Sequence, residues 1–282
     1  MAELRTVVDG LAFPEGPRWH DGRLFFSDQH ARQVLALDPA TGTVEEVVRV
    51  EQQPSGLGWT ADGDLLIVSM LDQRLLRLDR SGRLDELADL SGLSILHCND
   101  MVVSSEGRAY VGSFGFDLDR GERPRPANVV VVEPDGSARI AADDLQFPNG
   151  SVITPDGRTL IVGETVAGRL TAFTIASDGS LTDRRVWAQL DGALPDGTCL
   201  DAEGAVWLAC PLSRRCLRVQ EGGAVLDEVP TEQAAFACML GGDDRRTLFV
   251  CTSEMALNTE TVKTRPGRIR ACEVDVPGAG RP

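Results

Sequence analysis

The chain has 282 residues, 42% hydrophobic and 25% charged, an ordinary balance for a folded protein large enough to need no disulfide staples. Its 28 Lys+Arg against 43 Asp+Glu leave a formal charge of -15. That charge argues against nucleic-acid and anionic-membrane partners, because phosphate binding needs a basic face.

Met1-Ala2-Glu3-Leu4-Arg5 lacks the apolar core of a signal peptide. No apolar run approaches the roughly 18 residues of a membrane span. The seven cysteines (Cys98, Cys199, Cys210, Cys216, Cys238, Cys251, Cys272) contain no C-x-x-C pair. The expectation is a cytoplasmic protein whose thiols are reduced and act as small core hydrophobes. The acidic balance leaves a monomer or a weak homo-oligomer open.

After the apolar segment Leu4-Arg5-Thr6-Val7-Val8, one unit dominates the chain: a tight turn feeding a short apolar strand. It occurs as His20-Asp21-Gly22 before Arg23–Ser27, Ala61-Asp62-Gly63 before Asp64–Val68, and Ser105-Glu106-Gly107 before Arg108–Gly112. It returns as Pro155-Asp156-Gly157 before Arg158–Gly163, and Ala202-Glu203-Gly204 before Ala205–Ala209. The sixth copy, Asp243-Asp244-Arg245-Arg246 before Thr247–Val250, has lost its glycine. The intervals between Gly22, Gly63, Gly107, Gly157, Gly204 and Arg245 are 41, 44, 50, 47 and 41, the range of a four-stranded propeller blade. Each copy is preceded by an inner apolar run and followed by a third strand, such as Val129-Val130-Val131-Val132, and a fourth, such as Val44–Val48. Inner runs without alternation predict strands buried on both faces, and alternating outer runs predict half-exposed ones. The fold class is therefore all-β: one six-bladed β-propeller domain over residues 1–282 with four-stranded blades. The last copy shows only three strands, so the N-terminal segment is expected to supply the fourth and close the ring, leaving no open sheet edge. Two loops exceed the others, 115–127 with Phe116 and Leu118, and 253–266. Both are expected to sit over the central pocket.

The turns that open the innermost strands read Pro14-Glu15-Gly16, Pro54-Ser55-Gly56, Cys98-Asn99-Asp100, Pro148-Asn149-Gly150, Pro195-Asp196-Gly197 and Ala235-Phe236-Ala237. Glu15, Ser55, Asn99, Asn149, Asp196 and Phe236 thus share one repeat position, and in a propeller such positions converge on the axis. Asn and Asp also suit such turns for backbone reasons, whereas Glu is no turn former. Two carboxylates together repel unless one keeps its proton or a cation lies between them. Oxygen-only donors suit a hard divalent cation. No Cys/His cluster points to a structural zinc site, and no G-x-S-x-G elbow or suitably placed histidine activates Ser55.

Phe13-Pro14-Glu15-Gly16-Pro17-Arg18-Trp19, Asn99-Asp100, Pro148-Asn149-Gly150 and the run from Pro195-Asp196-Gly197 to Trp207-Leu208-Ala209 resemble the senescence-marker-protein/gluconolactonase family of regucalcin-like lactonases, from about Phe13 to Thr252. The resemblance implies a six-bladed propeller, in agreement with the repeat count. It implies that Glu15, Asn149 and Asp196 coordinate one divalent metal, that Asn99 faces substrate or a water on the metal, and that Asp196 accepts the proton. Calcium is the first assignment, with zinc, manganese, magnesium or iron(II) as alternatives. Sugar-lactone members carry an Arg where this chain has His97, and an imidazole cannot replace a planar, always-charged fork of donors. With Phe114 and Phe116 nearby, the expected substrate is a small lactone less polar than a simple sugar lactone, opened by a metal-dependent hydrolase. The rival readings are an organophosphate-type esterase on the same metal site and a non-catalytic propeller that binds metal or protein.

Overall fold

The computed structural model describes residues 4–117, 120–255 and 258–279. Six antiparallel four-stranded sheets follow one another around a ring. Blades 1 to 5 take their strands in chain order from the axis outward. Blade 1 is Pro14–His20, Arg23–Asp28, Gln33–Asp38 and Thr43–Arg49, and blades 2, 3, 4 and 5 open with Pro54–Trp59, Cys98–Val103, Pro148–Ile153 and Thr198–Leu200. Blade 6 runs Ala234–Gly241, Thr247–Ser253 and Gly267–Glu273, and its outer strand is the N-terminal Arg5–Leu11. The predicted closure is therefore present, with Arg5 opposite Ala271 and Leu11 opposite Gly267.

Burial follows the sequence pattern. Every residue of Ala234–Gly241 is buried, whereas five of the six in the blade 5 outer strand Val225–Pro230 are exposed. The apolar core is divided among the spaces between neighbouring blades. The largest cluster joins blades 5, 6 and 1 through Trp207, Met239, Phe249, Trp19 and Phe26. All seven cysteines are free and buried, as expected of small core hydrophobes. The turn glycines carry the positive φ that their copies require, and the sixth copy keeps this geometry on Arg245 (φ 61°).

The two ends of the ring differ. The inner strands start at one end, and the links between second and third strands emerge there. The long segments 114–126 and 254–266 are such links of blades 3 and 6, which face each other across a six-membered ring. Leu118 lies outside the described residues. At the other end the C-terminal segment lies over blades 5 and 6: Gly278 N donates to Arg245 O (2.8 Å) and Ala279 N to Leu200 O (2.9 Å). Among the described residues, no helix is long and apolar enough to cross a membrane.

Candidate active site

All six inner strands carry the same irregularity. In blade 1 the pairing Glu15 to Ser27 is followed by Arg18 to Phe25, and equivalent shifts follow Pro54, Cys98, Pro148 and Ala235. In blade 5 Asp196 and Gly197 share Ala209: Asp196 N donates to Ala209 O, and Ala209 N donates to Gly197 O. A bulge leaves one residue out of the ladder and re-aims its side chain. The break takes in Ser55, Asn99, Asn149 and Phe236, falls at Asp196 in blade 5, and follows directly on Glu15, which still pairs with Ser27; the row read from the repeat thus sits at the break in every blade. The residue after the bulge allows close packing of neighbouring blades. A Cβ on Gly150 would lie 2.5 Å from Asp196 O and Thr198 N, and one on Gly197 would strike Ala237.

Asn99, Asn149, Ser55 and Phe236 are buried, while Glu15 and Asp196 are half-buried and keep surface toward the mouth. Burial pushes the Glu15 carboxyl up to about 8; the N–H of Gly16 (2.9 Å) opposes this, and the charge of Asp100 adds to it. Asp196 is raised for the same leading reason, with Glu15 as the next contributor, against a hydrogen bond from Asn149. Asn149 is oriented from behind: its Nδ2 donates to Thr165 Oγ1 (3.2 Å), which donates to Pro195 O (2.7 Å). Asn99 Nδ2 and Asp100 Oδ2 are buried without partners.

This set fits a hard divalent cation: two carboxylates and a carboxamide offer oxygen donors, Asn149 hydrogen-bonds Asp196, and burial disfavours the charged forms of both acids without a counter-charge. Among the described residues no three His, Cys, Asp or Glu side chains form a metal-binding group by themselves, so the carboxamide of Asn149 is needed to complete the donors.

Ser55 is no activated nucleophile. Its hydroxyl accepts from Gln29 Nε2 (3.1 Å). None of the three histidines hydrogen-bonds Ser55: His20 stacks on Trp59, His30 Nδ1 meets Thr261 Oγ1 at 2.6 Å, and His97 packs edge-on to Phe114.

Aromatic rings stand on two sides. In blades 3 and 4, Phe114 and Phe116 pack on Phe147 with centroids 4.6 and 5.7 Å apart, and His97 lies 6.1 Å from Phe114. In blades 6 and 1, Phe13 packs on Phe236 (4.5 Å) and stacks on His30 (4.4 Å). The short helix Asn258–Thr264 docks there through buried Thr261. Phe13, Phe147, His30, Asp100 and Arg18 escaped the sequence reading as site residues. The first two immediately precede the Pro-x-Gly turns, which was a usable signal; the other three act through contacts between blades. A further acid fixes Phe13: Asp28 Oδ1 accepts from the N–H groups of Ala12 (3.0 Å) and Phe13 (2.7 Å).

Known proteins resemble the chain over most of its length. A 6-deoxy-6-sulfogluconolactonase from Pseudomonas putida is 28% identical over 95% of this chain and 93% of its own. Regucalcin from Xenopus laevis is 26% identical over 93% of this chain and 90% of its own. The solved structure of a gluconolactonase from Xanthomonas campestris superposes with a TM-score of 0.80 at 26% identity, covering 97% of this chain and 90% of that one. A family model described as the SMP-30/gluconolactonase/LRE-like region matches residues 13–254, and the chain belongs to that family.

Proposed function

We propose that the protein is a hydrolase that opens a lactone, using one divalent cation held by Glu15, Asn149 and Asp196. One observation supports this reading: two half-buried carboxylates share one repeat position with a carboxamide that hydrogen-bonds Asp196, and burial resists ionisation of both acids, with the charge of Glu15 adding to the effect on Asp196. Calcium, a hard ion suited to oxygen donors, is the first assignment; zinc, manganese, magnesium or iron(II) are the alternatives. When bound, the cation supplies Lewis-acid polarisation of the ester carbonyl and counter-charge for the oxyanion.

The chain's own residues do the rest. Asp196 takes the proton from the attacking water, for which its position on the axis and its remaining solvent access fit it. Asn99, whose buried Nδ2 lacks a partner, donates to a substrate oxygen. His97 and the rings of Phe114 and Phe116 hold the substrate from blade 3. These apolar walls favour a ring less polar than a sugar lactone, although two of the relatives are named for gluconolactone substrates.

The test is proton release over sugar, aliphatic and aromatic lactones, with a phosphotriester as control. It uses chelator-stripped protein, protein refilled with each of the five ions, and Asp196→Asn. Turnover restored by metal and lost at least a hundredfold in Asp196→Asn is expected. Turnover indifferent to chelation overturns the site, and hydrolysis of the phosphotriester alone overturns the lactone assignment.

A further inference from the structure

Beside the donor row, one buried positive charge joins blade 1 to blade 3. Arg18 leaves the inner strand of blade 1, and its guanidinium donates to Asp100 Oδ1 (2.7 Å), Met101 O (2.5 Å) and Pro17 O (2.8 Å). The side chains of Arg18 and Asp100 are 4% and 7% exposed. The contact reaches from blade 1 to blade 3 past blade 2. There the inner strand carries Gly56 and Gly58, and a Cβ on Gly56 would press against Asp100 and the Met101 nitrogen. Blade 2 is thus cut back where the arginine crosses.

A third carboxylate borders the donor row: Asp100 follows Asn99 at the position held by Gly16, Gly56, Gly150 and Gly197 in other blades, packs against Gly56, and bears on Glu15 and Asp196 through its charge. Against them stands one guanidinium, which does not discharge. With all three acids ionised the cluster carries a net charge of two minus, the complement of one divalent ion. Asp100 Oδ1 is already occupied by Arg18 and by the N–H of Met101 (2.8 Å), while its Oδ2 has no partner.

We infer that Arg18 is a positioning residue that sets the valence of the ion the site accepts, by binding Asp100 as its own counter-ion and keeping it out of the donor set. This rests on the reading of Glu15, Asn149 and Asp196 as metal donors. Without Arg18 the cluster carries three minus charges and Asp100 is free to turn its carboxylate toward the ion, an arrangement suited to a trivalent lanthanide.

The experiment is competition between calcium and terbium(III), read by terbium luminescence on the full-length chain, with circular dichroism to confirm folding. Arg18→Met is expected to raise the preference for terbium over calcium about tenfold. Asp100→Asn, with one minus charge left, should bind calcium about tenfold more weakly than wild type. Arg18→Met/Asp100→Asn returns to two minus charges, so it should regain calcium affinity relative to Asp100→Asn and lose the terbium preference. The double variant also replaces a buried ion pair by neutral groups, which folded proteins tolerate better than one orphaned charge. If Arg18→Met fails to fold, the comparison of Asp100→Asn with the double variant decides. An unchanged ion preference in folded Arg18→Met, or equal calcium affinity in those last two variants, overturns the inference while the metal site stands. A wild-type chain that binds neither ion overturns the metal site and the inference together.

Discussion

Glu15 is held where its charged form is disfavoured, and this makes the metal-free protein sensitive to pH. Its carboxyl is raised from 4.5 to about 8, chiefly by burial. Between those values the folded chain keeps a proton that the unfolded chain has released, so stability falls as pH rises through the window. In chelator, the urea midpoint should therefore drop from pH 5.5 to pH 8, and Glu15→Gln should flatten the drop. Added calcium should restore wild-type stability at pH 8, because the ion replaces the proton. A slope unchanged by Glu15→Gln would remove Glu15 as its cause. Ser55→Ala should keep turnover within about threefold, since the Ser55 hydroxyl accepts from Gln29 and, among the described residues, makes no hydrogen bond to a histidine or carboxylate. Loss of turnover in that variant would point to a serine mechanism. The proposed donors could be picked out in the sequence because a repeat puts them at one position and the chemistry of Glu15 departs from turn preference. The role of Arg18 was not legible there, because its partner lies 82 residues away on a blade that is not its neighbour.

The bulge is the unit from which the site is built, and the glycine after it is what allows two bulges to touch. Gly150→Ala would set a methyl 2.5 Å from Asp196 O and Thr198 N, both backbone atoms. The expected cost is about 1–3 kcal/mol in chemical denaturation, together with weaker calcium binding because the displaced backbone belongs to Asp196. A variant with wild-type values in both measurements would show that the strands can separate freely there. At this scale the turns and strands were legible from glycine spacing and apolar runs. The helix Asn258–Thr264 was not, because seven residues hold no helix by themselves and this one is fixed by Thr261 meeting His30 across the ring closure.

The ring as a whole depends on its first strand. Removing residues 1–11 would strip Leu11 from the core along with Val7 and Val8, which pack against it, and would open the edge of Gly267–Glu273. The truncated chain should be less stable by at least about 3 kcal/mol and should associate through the bared edge, both visible in denaturation at two protein concentrations. Closure was legible because the sixth copy lacked a strand and the N-terminus had one to spare. The difference between the two ends of the ring was not, since it depends on where the C-terminal segment settles.

That difference constrains traffic through the ring. Beneath the donor row, Arg18 ties blade 1 to blade 3, and the cavity walled by Arg18, Val102, Ser151, Thr198, Met239 and Ala279 measures about 10 Å³, room for one water. No ring-sized molecule passes that way, so whatever enters at the mouth leaves by it. A lactone enters neutral and leaves as a hydroxy acid, whose new carboxylate would suit the proposed cation. Added product should therefore raise KM without lowering kcat, and progress curves should bend well before the substrate is exhausted.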